Sequence, residues 1–228
     1  MKSRRQTTPS PAKRKIVIVD DHPLLRAGLS QVIEQQEDLT VCGEAEDAPQ
    51  GMSVVRKTRP DAVIVDISLG AGSGLELIKN LHAQYPDLPL LALSVHHENL
   101  YAERALDAGA MGYVMKREPV KRTLAALRKV LDGKTAVSEE IVCRMLGKRK
   151  VKGKPGAHSL ADLLSDRELE VFRLLGEGQG TRDIASRLGI SPSTVETYRS
   201  SIKHKLGLTN GTALVARAAA FITEEESE

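Results

Sequence analysis

The chain has 228 residues, 41% hydrophobic and 28% charged, which excludes a disordered protein and leaves room for two ordinary domains. Aromatics make up 3% and Trp is absent, which argues against a nucleic-acid binder that stacks bases on aromatic platforms, though not against one that lays a helix in a groove. The net charge is only +3, no apolar run approaches the ~20 residues of a membrane span, and Cys42 and Cys143 are too sparse for a disulfide framework or a Cys-rich metal site.

Residues 1–14 mix Pro, Ser, Thr and basic side chains and read as a disordered tail. Thr7-Thr8-Pro9-Ser10-Pro11 stands where a signal peptide would carry its apolar stretch, so a cytoplasmic location is expected. From Lys15 the pattern alternates. Residues 16–20 (IVIVD) form an apolar run ending in acid, a buried strand. Residues 23–36 have helical spacing, with Pro23 in the first turn. Strands are then expected at 39–45, 62–67 (AVIVDI), 88–94 (LPLLALS) and 111–115, and helices at 48–58, 74–84, 98–108 and 119–131. Five strand–helix units in residues 15–132 imply an α/β domain, a doubly wound five-stranded parallel sheet whose apolar strands are covered on both faces. Such sheets place their chemistry at the C-terminal ends of the strands.

Those ends carry a coherent set of groups. Asp20 and Asp21 follow the first strand, Asp66 ends the third, Ser94 the fourth, and Lys116 follows the fifth. Clustered carboxylates repel unless a cation offsets them, and carboxylate with carbonyl oxygen suits a hard ion such as Mg²⁺. An Asp as nucleophile, with a metal and a Lys to offset phosphoryl charge, fits phosphoryl transfer. Any one of these residues alone reads as a strand-end polar group facing water.

With DDHP (20–23), VDISL (65–69), LALS (91–94) and GYVMK (112–116), this region resembles a response-regulator receiver domain. The resemblance implies that Asp66 is the phosphoacceptor and that Asp20, Asp21, Asp66 and the Ser68 carbonyl hold Mg²⁺. It also implies that Ser94 is the switch hydroxyl, Tyr113 the switch aromatic and Lys116 a phosphoryl contact. Gly70 stands where many receivers have Pro, which leaves the loop 70–74 looser. A rival reading takes 63–74 (VIVDISLGAGSG) as the glycine-rich loop of an S-adenosylmethionine-dependent methyltransferase. Against it, Asp66 precedes the first Gly by four residues, and Asp20, Asp21 and Lys116 are left unexplained.

Residues 133–159 read as a linker helix at 138–146 followed by a basic linker, GKRKVKGKPG at 147–156. Residues 147–158 hold five basic and no acidic residues, whereas 16–146 hold 14 basic and 19 acidic. Residues 160–228 are expected to be all-α. Ser165-Asp166-Arg167-Glu168 is a capping box, Thr181 opens a second helix, Gly189 permits a sharp turn, and Ser191-Pro192 starts a third helix. Val195, Tyr198, Ile202 and Leu206 fall on one stripe of that helix, and Ser193, Glu196, Thr197, Ser200 and His204 on the opposite face. Arg199, Lys203 and Lys205 lie at its flanks. A small polar face flanked by cations suits a major groove, with base edges at the centre and phosphates at the sides.

Residues 164–210 resemble the LuxR-type helix-turn-helix of NarL/FixJ response regulators. The resemblance implies a final helix at 209–223, whose Leu214, Val215 and Ala218 either pack in a homodimer or cover their own core. The implied whole is a phosphorylation-controlled transcriptional regulator, not a turnover enzyme. Its partners would be a sensor histidine kinase, double-stranded promoter DNA and a second copy of itself. A phosphorylation-independent DNA binder is the remaining alternative, and a purely structural receiver has no need of Asp20, Asp21, Asp66, Ser94 and Lys116.

Overall fold

The computed structural model describes residues 12–70, 73–150 and 163–226. Most of the expected disordered tail and the basic linker beyond residue 150 lie outside the described residues. Five parallel strands, β1 (Arg14–Val19), β2 (Leu39–Ala45), β3 (Ala62–Asp66), β4 (Leu90–Ser94) and β5 (Gly112–Met115), form one sheet in the order β2-β1-β3-β4-β5. The intervening helices are α1 (Pro23–Glu34), α2 (Ala48–Thr58), α3 (Gly74–Gln84), α4 (Glu98–Asp107) and α5 (Val120–Leu131). β3 and β4 are buried along their whole length because helices cover both faces.

One apolar layer joins Ile16, Ile18 and Ile64 to Leu29 and Ile33 of α1 and Leu124 and Leu127 of α5. The other joins Val17, Val63 and Ala92 to Val55, Ile78, Leu81 and Ala102 of α2, α3 and α4. Because β1 lies between β2 and β3, with β3 next to β4, the C-terminal ends of β1, β3, β4 and β5 meet at one edge. Gly74 lets α3 start hard against that edge, since a Cβ there would lie 1.9 Å from the Asp66 carbonyl oxygen.

Several boundaries differ from expectation, each for a local reason. β1 begins two residues early: Arg14 N–H bonds the Asp38 carbonyl and Lys15 N–H bonds Asp61 Oδ2, so polar residues complete an apolar strand. β4 begins at Leu90, not 88, because Pro89 has no N–H for the ladder and Leu88 N–H closes a turn on the Tyr85 carbonyl. The linker helix α6 (Glu139–Lys150) runs four residues past its expected end, straight through Gly147.

The C-terminal helices are α7 (Asp166–Gly176), α8 (Thr181–Leu188), α9 (Pro192–Leu206) and α10 (Gly211–Glu226). The capping box at Ser165 and Glu168 is formed, and Gly189 takes φ 64° to end α8 in the left-handed region. Leu169, Phe172, Ile184, Val195, Ile202, Leu214 and Ala218 fill the core of this unit. The stripe expected on α9 is half right: Val195 and Ile202 are fully buried, and Tyr198 and Leu206 only partly. Leu214 and Ala218 have no exposure at all, so they cover their own core, and Val215 alone of the three faces outward.

Candidate functional site

The sheet edge gathers every receiver residue singled out from the sequence. Asp20 and Asp66 are buried, and Lys116, after β5, sets its Nζ 2.7 Å from Asp20 Oδ2 and 2.8 Å from Asp66 Oδ2. Asp66 Oδ1 accepts the Ser68 N–H at 3.0 Å, and Asp21 Oδ2 accepts the Gly70 N–H at 2.9 Å. The second bond ties the start of the glycine-containing loop to the acid cluster. Residues 71 and 72, where looseness was expected, lie outside the described residues.

Burial, followed in size by the Lys116 charge that opposes it and the Asp20 charge that reinforces it, pushes the Asp66 carboxyl up to about 6. Burial works against the Lys116 charge too, but Asp66 and Asp20 outweigh it and hold that ammonium above its ordinary value. Lys116 thus faces two carboxylates, with a third, Asp21, in the same cluster. Asp20 Oδ2 and Asp21 Oδ1 are buried oxygens that face nitrogens, Lys116 Nζ at 2.7 Å and His22 Nδ1 at 2.8 Å. Oxygens of Asp20, Asp21 and Asp66 and a ring nitrogen of His22 lie within 4.8 Å of one another. Carboxylate oxygens of three acids gathered in one cluster fit a hard divalent cation.

Ser94 Oγ accepts the His96 N–H at 3.0 Å, and the Tyr113 hydroxyl donates to the His96 carbonyl at 2.8 Å. Burial raises the Tyr113 phenol above its ordinary value. His96 is not among the residues that the sequence motifs single out. Its ring stacks on Tyr101 with centroids 4.9 Å apart, lies 2.9 Å from Ser68 Oγ, and touches Arg173 of α7. Burial, then Arg173, Arg187 and Lys116, pushes this imidazole down to about 3, so it is neutral. The sequence signal was faint: a His two residues beyond a strand-end Ser has no meaning until α7 is placed against it. His22, 2.8 Å from Asp21 Oδ1, belongs to the DDHP run, which by itself does not say what its ring faces.

On α9, Ser193, Glu196, Thr197, Ser200 and His204 are all exposed, with Arg199 and Lys203 half-buried beside them. Two flanking groups are more occupied than their positions imply. Arg199 donates to Thr181 Oγ1 at 2.7 Å and lies 3.3 Å from Glu196, whose carboxylate also accepts from Thr181. Lys205 is not a free phosphate contact, because its Nζ lies 2.5 Å from Glu168 Oε2. Thr197 donates its hydroxyl to the Ser193 carbonyl one turn back, which leaves that oxygen as an acceptor only.

The two sites are not far apart in the molecule. A cavity of about 300 Å³ over Asp66 has Ser68, Leu69 and Lys116 on one side and Arg173, Arg187 and Leu188 on the other. Asp166 at the start of α7 pairs with Lys79 of α3 at 2.8 Å and Arg104 of α4 at 2.5 Å, and Arg167 pairs with Glu76 at 3.2 Å. No described helix is long and apolar enough to cross a membrane.

Residues 16–128 match the family model for the response regulator receiver domain, and residues 162–218 that for bacterial regulatory proteins of the luxR family. The chain is 34% identical over 209 residues to the oxygen regulatory protein NreC of Staphylococcus epidermidis, covering 90% of this chain and 96% of that protein. The NreC of Staphylococcus carnosus is 33% identical over 208 residues, with the same coverage. Among solved structures, RcsB from Salmonella enterica serovar Typhimurium, bound to promoter rprA in the presence of phosphomimetic BeF3⁻, is 29% identical with a TM-score of 0.62. That match covers 91% of this chain and 99% of the other.

Proposed function

The chain belongs to the two-component response regulators that join a receiver to a LuxR-family DNA-binding domain, and on that premise we propose that Asp66 accepts a phosphoryl group from a sensor histidine kinase and that α9 reads double-stranded promoter DNA. The observation that carries the reading is the pairing of a buried Asp66 with Lys116 beside the clustered carboxylate oxygens of Asp20 and Asp21. The methyltransferase alternative falls with the family assignment.

Asp20, Asp21, Asp66 and the Ser68 carbonyl would hold Mg²⁺. Bound there, the ion supplies positive charge that offsets the acids and the oxygens of an incoming phosphoryl group. A carboxylate oxygen of Asp66 attacks phosphorus as the phosphorus–nitrogen bond to the donor histidine breaks, and the imidazole leaves with the bonding pair. Lys116 then shifts from the Asp66 carboxylate to a phosphoryl oxygen. Ser94 turns its hydroxyl toward the same group and gives up the His96 N–H, and Tyr113, bonded to the same residue, registers that change. Domain limits of 15–132 and 160–228, joined by α6 and the basic linker, complete the proposal. So do a cytoplasmic setting and a homodimer on DNA. The dimer contact does not use Leu214 and Ala218, which are buried in their own core.

The test is incubation of the full chain with Mg²⁺ and phosphoramidate. The Asp66→Asn variant is expected to take up no phosphate, because an amide is a poor nucleophile and brings no charge to the metal. Incorporation at the wild-type level in that variant overturns the assignment.

A further inference from the structure

The contact between the two domains is one-sided. It is made by the start of α7, by Arg173 about two turns on, and by the end of α8, and it lands on α3, α4 and the loops that border Asp66. Arg104 of α4 also bonds the Leu164 carbonyl at 2.7 Å, so the chain is held on both sides of Ser165. Arg173 reaches His96, and His96 is bonded in turn to Ser68, two residues beyond Asp66. The start of α3, the 67–70 loop and the 95–97 loop therefore carry the helical domain as a roof over the phosphoacceptor.

The DNA-reading face takes no part in this. Ser193, Glu196, Thr197, Ser200 and His204 are exposed with the receiver in place, and no ion pair or hydrogen bond of the described residues joins α9 to the receiver. The docked form covers the phosphorylation site and leaves the reading helix bare.

From this asymmetry, and resting on the assignment of Asp66 above, we propose that docking of the DNA-binding domain restrains phosphoryl transfer to Asp66 and does not mask DNA recognition. A donor must enter a cavity of about 300 Å³ or wait for the roof to lift. Either route is slower than approach to an uncovered sheet edge, for a small phosphodonor as for a histidine carried on a protein. Opening the domains speeds phosphorylation and leaves the intrinsic DNA affinity of α9 as it was.

The experiment uses the full chain, Mg²⁺ and phosphoramidate as the donor, and follows phosphate uptake by intact mass. Arg104→Ala removes the bonds to Asp166 and the Leu164 carbonyl without touching the acid cluster, and Arg104→Glu adds repulsion from Asp166. Both are expected to be phosphorylated at least fivefold faster than wild type. Restoring the pair with opposite signs, Arg104→Glu with Asp166→Arg, is expected to bring the rate back toward wild type. In parallel, wild type and Arg104→Ala should bind a 20-base-pair duplex of random sequence at low salt within twofold of each other. Equal phosphorylation rates in wild type and both single variants overturn the restraint, and tighter DNA binding by Arg104→Ala overturns the claim that the reading face is bare. Label that persists when Asp66→Asn is built into the Arg104→Ala background overturns the Asp66 assignment itself, a result distinct from the other two.

Discussion

Among the described residues, Lys116 is the only Lys or Arg within ion-pair distance of both Asp20 and Asp66, and its side chain is almost fully buried with them. Breaking a buried pair by removing one partner costs about 3–5 kcal/mol. Lys116→Ala is expected near the lower end, about 3 kcal/mol, because the orphaned Asp66 carboxyl can take up a proton instead. Urea unfolding in EDTA checks the loss, and added Mg²⁺ should recover part of it. The raised carboxyl of Asp66 gives a second expectation. An acid whose folded pKa lies above its unfolded value binds extra protons when folded, so its destabilising effect is fully present above pH 6 and fades as pH falls toward 3.8. Between pH 7 and pH 5 this group should add about 1 kcal/mol of stability to the metal-free chain, and Asp66→Asn should abolish that increment. The acids, the hydroxyl and the lysine were legible because each ends or follows an apolar strand. His96 was not, because its importance lies in Arg173, 77 residues away.

At the scale of elements, Glu168 does more than the capping box required of it. Its carboxylate accepts from Ser165 N–H, Ser201 Oγ and Lys205 Nζ, which ties the first turn of α7 to the last turns of α9. Burial opposes its charge, but the bonds from Lys205, Ser201 and Ser165 prevail and hold it at about 2. The sign is the usual one for a depressed acid: the stabilisation is present above pH 4.5 and lost as pH falls toward 2. Glu168→Ala should therefore cost the C-terminal domain about 3 kcal/mol at neutral pH and flatten the acid limb of its unfolding curve. On α9, Thr197→Ala or Ser200→Ala should change base preference at one or two positions by about 1–3 kcal/mol. Lys203→Ala should weaken all sequences alike and reduce the salt slope by about one unit. Selection from a randomised library at two salt concentrations separates these outcomes. If Lys203→Ala shifts the preferred sequence and neither hydroxyl variant does, the reading face is rotated from the one assigned.

Across the whole molecule, three ion pairs among the described residues join the helical domain to the receiver: Lys79 and Arg104 to Asp166, and Arg167 to Glu76. Such pairs weaken as salt shortens the Debye length from about 10 Å at 0.1 M toward 3 Å at 1 M. The radius of gyration by small-angle X-ray scattering should rise between 0.05 and 0.5 M salt in wild type. Arg104→Glu should already be extended at the lower value. No change in either would mean that apolar contact, around Leu164 and Leu188, holds the domains together.

The sequence by itself determined the order of strands and helices, the parallel sheet and the polar face of α9. These follow from local apolar periodicity, and β2, α2 and α3 fall where that periodicity places them. It also determined which residues end the strands, since a parallel sheet brings those ends to one edge whatever covers its faces. Where the periodicity was broken by proline, by polar edge residues or by glycine, the boundaries of β4, β1 and α6 moved, because ladder bonds and helix continuation are decided by neighbours and not by hydropathy. Only the tertiary structure decided that Leu214 and Ala218 face inward, that Arg199 and Lys205 already have partners, and that α7 lies over Asp66 while α9 stays open. Each of these rests on contacts between residues far apart in the chain, and such contacts leave no period in the sequence.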